Sequence, residues 1–236
     1  MTVPQTQIDE IEDRIYRIHT PVDSPTGEFS FNQYLLVDDA PLLFHTGPRG
    51  MAPAVMAAIG KVMPIERLRY VGFAHFENDE CGGLNAILAQ APHALPVCST
   101  IGAMVQDDAL DRPARALADG EALSLGERIV RWIDAPHVPH GWDNGYLYEE
   151  RTKTLLCGDL FTQPGSGDAP LVETDVLGPS EAMRAQFDYF AHSPNTVAVI
   201  ERLAKLGPRT LACMHGSAFR GDGGKLLRAL AEVLDA

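Results

Sequence analysis

Histidine and carboxylate side chains recur at the ends of apolar runs, in spacings that suit cation binding. The densest group is His75-Phe76-Glu77-Asn78-Asp79-Glu80-Cys81-Gly82, which follows the β-prone run 69–74. His75, Glu77 and Asp79 fall on alternate residues. Such residues share one face of an extended chain, and a turn there would curl three donors around an ion. The same residues also fit a polar loop ahead of a helix, with Asp79 as its cap. A second group runs from Asp134 to Asn144 and carries His137 and His140 in a proline-stiffened loop. A third, Leu155-Leu156-Cys157-Gly158-Asp159-Leu160-Phe161, sets a carboxylate among apolar neighbours, where it needs a partner. The fourth, Leu211-Ala212-Cys213-Met214-His215-Gly216, ends an apolar run on a histidine. Taken singly, each has a plain structural reading. Together they deliver His, Glu and Asp to loops after four separate strands, and loops at strand ends are where folds carry their chemistry.

The elements that must position these loops follow from hydrophobic pattern. Strands are predicted over 13–19, 29–37, 42–45, 69–74, 96–99, 128–134, 146–149, 154–157 and 210–213. Helices are predicted over 51–62, 84–91, 101–108, 180–192, 194–206 and 225–236. Residues 111–125 have no clear assignment. Hairpins come first and alternating strands and helices follow. That order suggests an α/β protein with two sheets and helices outside, rather than one doubly wound sheet. No linker stands out, so residues 1–236 are read as a single domain.

Composition narrows the function classes. The chain has 236 residues and a formal charge of −13, which disfavours nucleic acid and anionic membranes as partners. Carboxylates that ligate cations would account for part of that excess. The four cysteines, at 81, 98, 157 and 213, form no CxxC pair or disulfide ladder, which points to a reducing cytoplasm. No signal peptide is visible at the N-terminus. No run approaches the ~20 apolar residues of a membrane span.

The order HxExD, loop His, GD and strand-end HG resembles the metallo-β-lactamase superfamily. More narrowly, it is similar to the di-iron domain of flavodiiron proteins and to their stand-alone relatives, the oxygen-binding di-iron proteins. The resemblance implies an αββα sandwich. Hydrolases of this fold carry HxHxDH. Glu77 here stands where they have the second His, which marks the iron branch, and Glu80 stands where they have the last His. Carried over, His75, Glu77 and His140 would hold one ion and Asp79 and His215 the other, with Asp159 bridging. His140 is preferred to His137 because it leads into the next strand at the family's distance. Glu80, His137 and Asp143 are left as supporting candidates, Glu80 also as a seventh ligand. His45 lies where iron-branch relatives usually have an acid. Phe29, Phe31 and Phe161 could line a pocket for a diatomic or belong to the core.

The resemblance implies two iron ions, with zinc or manganese as alternatives, since a hard His and carboxylate set also accepts them. It implies binding or reduction of dioxygen or nitric oxide. No flavodoxin-like domain or phosphate-cradling glycine loop is visible, so an external electron-transfer protein is expected. Relatives often pair head to tail, so a homodimer is a further expectation. The alternative reading is a metal-dependent hydrolase acting on an ester, thioester or phosphoester.

Overall fold

The structure is a computed structural model that describes residues 5–235. Two seven-stranded mixed sheets pack face to face. The first runs β1 (Gln7–Glu12), β2 (Ile15–Ser24), β3 (Gly27–Leu36), β4 (Leu42–Phe44), β5 (Tyr70–Gly72), β6 (Leu95–Ser99) and β7 (Arg115–Leu117), in that spatial order. The second contains β8 (Ala122–Ser124), β9 (Ile129–Asp134), β10 (Gly145–Glu149), β11 (Thr154–Leu156), β12 (Leu171–Val172), β13 (Thr210–Ala212) and β14 (Ala218–Arg220). Its spatial order is β12-β14-β13-β11-β10-β9-β8.

Alternation along the strands divides the core into three layers. Tyr34, Leu36, Val130, Trp132, Leu147 and Leu156 point between the sheets. Leu35 and Ile133, one residue out of phase, point to the helices outside, as the two-residue period requires. Helices α1 (Ala52–Ile59) and α3 (Leu84–Gln90) cover the first sheet. Between them in sequence is the short α2 (Asn78–Cys81), and α4 (Thr100–Val105) follows β6. Helices α6 (Thr196–Lys205) and α7 (Gly223–Asp235) cover the second sheet. In α6 the buried residues Thr196, Val199, Ile200, Leu203 and Ala204 repeat at three and four, forming one apolar stripe. The αββα sandwich is therefore the observed architecture.

Several boundaries differ from the sequence reading. The helix expected over 180–192 is α5 (Leu177–Phe187). It stops because Asp188 turns left-handed, at φ 47 and ψ 47, which ends a helix. The chain at 189–195 then bends back toward the centre described below. The unassigned stretch 111–125 holds β7 and β8, and β1, β12 and β14 were not expected. All but β1 have two or three residues, too few to show a period. β1 is an acidic edge strand, QIDEIE, whose charges mask its β character while guarding the edge. Ala236, the last residue of the expected closing helix, lies outside the described residues.

Candidate metal centre

Four loops meet at one end of the sandwich, each leaving the C-terminal end of a strand. His75 follows β5, His140 follows β9, Asp159 follows β11 and His215 follows β13. Strands β11 and β13 are parallel neighbours, and β9 runs the same way because both β9 and β11 pair antiparallel with β10. Topology thus aims their following loops at the same edge.

Donor atoms of His75, Glu77, His140 and Asp159 lie within 4.8 Å of one another. Glu77 Oε2 is 2.8 Å from His75 Nε2 and 3.1 Å from His140 Nε2. Asp159 Oδ2 is 3.4 Å from His140 Nε2 and 3.9 Å from His75 Nε2. Its other oxygen, Oδ1, faces a second group, 3.2 Å from His215 Nε2. Asp79 Oδ2 completes that group, 3.5 Å from the same nitrogen. Asp159 therefore stands between two clusters and offers one oxygen to each. The structure brings all six sequence-predicted residues to one place.

All three histidines present Nε2 inward, and in two of them Nδ1 is hydrogen-bonded elsewhere. His140 Nδ1 donates to the carbonyl of Tyr189 at 2.8 Å, and His215 Nδ1 donates to the carbonyl of Ser30 at 2.8 Å. A carbonyl can only accept, so Nδ1 carries a proton, and Nε2 is the nitrogen left to meet a cation once its own proton is displaced. His75 Nδ1 lies 3.2 Å from Glu80 Oε1. Neither atom makes a full hydrogen bond, and the other contact of Oε1 is His45 Nε2 at 3.5 Å.

Electrostatics show how much charge is concentrated here. Burial opposes a proton on His75, but the surrounding carboxylates, Glu80 foremost, outweigh it and raise its pKa to about 12. Burial likewise opposes charge on His215, yet hydrogen bonds to Asp159 and Asp79 raise it to about 10. Glu77 is lowered to about 2 by its bonds to His140 and His75. For Asp159, burial favours the neutral acid, but the bond to His215 and the charges of the histidines hold it well below the usual range. Without ions, protonated imidazoles neutralise the carboxylates. A divalent cation would take over that role, so the donor set fits metal.

The supporting candidates separate. Glu80 is fully buried, and its Oε2 accepts the His75 backbone N–H at 2.7 Å. It faces His75 and not the Asp79–His215 group. Asp143 is buried, and its Oδ2 accepts the Phe76 N–H at 2.9 Å, bracing the His75–Asp79 loop. His137 is exposed, at φ 64, and makes no hydrogen bond or ion pair to the six among the described residues. That corrects its expected place beside the centre: the left-handed turn at 137 sends its ring to solvent. Phe161 belongs to the buried core. Phe29 stacks on His215 at 4.5 Å between centroids, and Phe31 meets the same ring edge-on at 5.4 Å.

Residues that the sequence reading passed over hold the His215 loop. Asn32 Nδ2 donates to the carbonyls of Cys213 and Gly216, at 2.9 and 2.7 Å. Tyr34 donates to the Cys213 carbonyl and buried Arg17 to the Gly216 carbonyl, at 2.6 and 2.8 Å. Ser30 Oγ accepts the Gly216 N–H at 3.0 Å. Arg17, Ser30 and Asn32 are polar residues at core-facing strand positions, an alternation that marks them as buried without showing what they hold. Gly216 itself has φ 86, and a Cβ there would come within 2.6 Å of Gln163, so only glycine fits.

A sequence profile described as "ODP family beta lactamase" matches residues 29–216. The chain belongs to that family. This ODP-family chain is 26% identical over 208 residues to the rubredoxin-oxygen oxidoreductase of Megalodesulfovibrio gigas, covering 84% of this chain and 51% of the relative. It is 24% identical over 234 residues to a nitric oxide reductase of Moorella thermoacetica, covering 95% of this chain and 58% of the relative. It thus spans little more than half the length of these curated relatives. A flavo di-iron protein variant from Thermotoga maritima shares the fold with a TM-score of 0.84 at 20% identity, over 98% of this chain and 62% of that one. The ODP-family domain therefore corresponds in fold to the di-iron portion of flavodiiron proteins. No helix among the described residues is long and apolar enough to cross a membrane.

Proposed function

We propose that this chain holds two iron ions and binds or reduces dioxygen or nitric oxide, with electrons from an external electron-transfer protein. The observation that carries the reading is the division of donors about Asp159. His75, Glu77 and His140 would hold one ion, Asp79 and His215 the other, and the two oxygens of Asp159 would be shared between them. Reduced iron at such a pair would supply electrons and open coordination positions to a diatomic molecule.

The chain's own residues account for the remainder. Three carboxylates offset most of the charge of two divalent ions, and their oxygens are the hard donors that suit iron. Fixed Nδ1 bonds keep the His140 and His215 imidazoles oriented. Phe29 and Phe31 exclude water beside His215, leaving an apolar flank suited to a small uncharged molecule. Exposed Phe76 and Trp142 adjoin His75 and the His140-Gly141 turn, on the surface a donor protein would approach. The names of the relatives, an oxygen oxidoreductase and a nitric oxide reductase, support the substrate class.

The test is anaerobic reconstitution with ferrous iron, chemical reduction, and measurement of oxygen and nitric oxide uptake. The expected result is stoichiometric uptake of one of the gases, becoming catalytic when a small electron-transfer protein and its reductase are added. Stoichiometric zinc with ester hydrolysis, and no gas uptake by the iron form, would contradict it.

A further inference from the structure

Glu80 is unlike the other acids of the centre. It is 0% exposed, and no Lys or Arg lies within ion-pair distance among the described residues. Its ion-pair contacts are two histidines: His75 Nδ1 at 3.2 Å and His45 Nε2 at 3.5 Å, both to Oε1. Its other oxygen is bound to the His75 N–H at 2.7 Å. A buried carboxylate so placed is costly unless its charge is answered. His45 is itself buried, with neither ring nitrogen in a hydrogen bond, and it is held at φ 66, a left-handed backbone unusual for a non-glycine residue. The next residue, Thr46, donates through its N–H to the Glu80 carbonyl at 2.7 Å. The 45–46 corner is thus fastened onto Glu80, with the His45 ring beside the carboxylate.

We propose that Glu80, backed by His45, is a positioning carboxylate that fixes the His75 proton on Nδ1 and so makes the two ion positions unequal. The inference rests on the reading that His75 ligates a metal. His140 and His215 lean on neutral backbone carbonyls at 2.8 Å. Only His75 leans on an anion. A carboxylate behind an imidazole makes the ring more basic and a stronger donor to its metal. The ion held by His75 is therefore bound more tightly than carbonyl-backed histidines alone would hold it, and its oxidised state is favoured over its reduced state. At 3.2 Å the two atoms of the Nδ1 contact are within reach of a hydrogen bond, and neither makes one elsewhere.

The experiment uses the full chain loaded with zinc, with histidine nitrogen NMR to read the Nδ1 proton of each ligand imidazole. In the unmodified chain one Nδ1–H signal should be displaced toward the carboxylate-bonded position and two should not. Glu80→Gln should return that one signal to the carbonyl-type position, leave the other two in place, and weaken one of two zinc affinities about 10- to 100-fold. In the iron form the same substitution should raise the reduction potential. His45→Asn, which tolerates the left-handed backbone, should move the same single signal by a smaller amount, and it carries the test should Glu80→Gln fail to fold. Three Nδ1 signals and two affinities unchanged in the folded variants would overturn the proposal, as would equal movement of all three signals. An unmodified chain that binds fewer than two zinc ions would overturn the metal reading and this inference together.

Discussion

At the residue scale, the histidines of the centre hold protons in the metal-free chain and would exchange them for metal in the proposed one, and the two uses respond oppositely to pH. In the metal-free protein the pKa values of His75 and His215 lie above the ordinary 6.5, at about 12 and about 10. Their contribution to stability is full below pH 6.5 and fades as pH rises through the folded values. Glu77, lowered from 4.5 to about 2, contributes above pH 4.5 and loses that contribution as pH falls through 2. Denaturant titrations of the apo chain should therefore show stability from these groups declining from near neutral pH upward. Metal binding must displace the imidazole protons, so zinc affinity should rise with pH over 6–9 and calorimetry should record proton release. Affinity independent of pH would remove the imidazoles from the ligand set. His140→Ala should lose an ion while His137→Ala keeps both, read by metal analysis. The reverse would exchange their assignments, although His137 faces solvent.

At the element scale, the β2–β3 hairpin works as a cradle for the loop that carries His215. Asn32→Ala would leave two buried carbonyls with weaker partners, at a cost of about 1–3 kcal/mol, and should weaken the ion position at His215 more than that at His75. Equal loss at both would indicate general destabilisation. Thermal melts and two-site zinc titrations separate these outcomes. This cradle also marks where the sequence stopped being informative. The HxExD loop and the strand-end histidines were legible because ligand residues cluster locally after apolar runs. The hairpin's role was not, because Arg17 and Asn32 act on residues nearly 200 positions away, through backbone carbonyls that leave no pattern. Helix α6 was legible from its apolar stripe. The end of α5 was misplaced because one left-handed residue, Asp188, overrides helical propensity to bring the Tyr189 carbonyl to His140. Strands of two or three residues carry no period to read.

For the whole molecule, four strand ends from distant parts of the chain converge on a centre that concentrates carboxylates. Ions bound there would favour the native state by mass action, by roughly 4 kcal/mol at a thousandfold excess over Kd. Chelation should therefore lower the unfolding temperature, and replenishing metal should restore it; an unchanged melt would mean that the ions add nothing to the fold. The net charge of −13 repels acidic donors at long range, so association with an acidic electron-transfer protein should speed up as salt is added, the opposite of a complementary pair. The most direct test of the account is metal analysis of the anaerobically purified chain, joined to its visible spectrum before and after air. Two irons per chain and a spectral change when the reduced protein meets oxygen are expected. One ion or none under iron-replete conditions, with the spectrum unmoved, would contradict it.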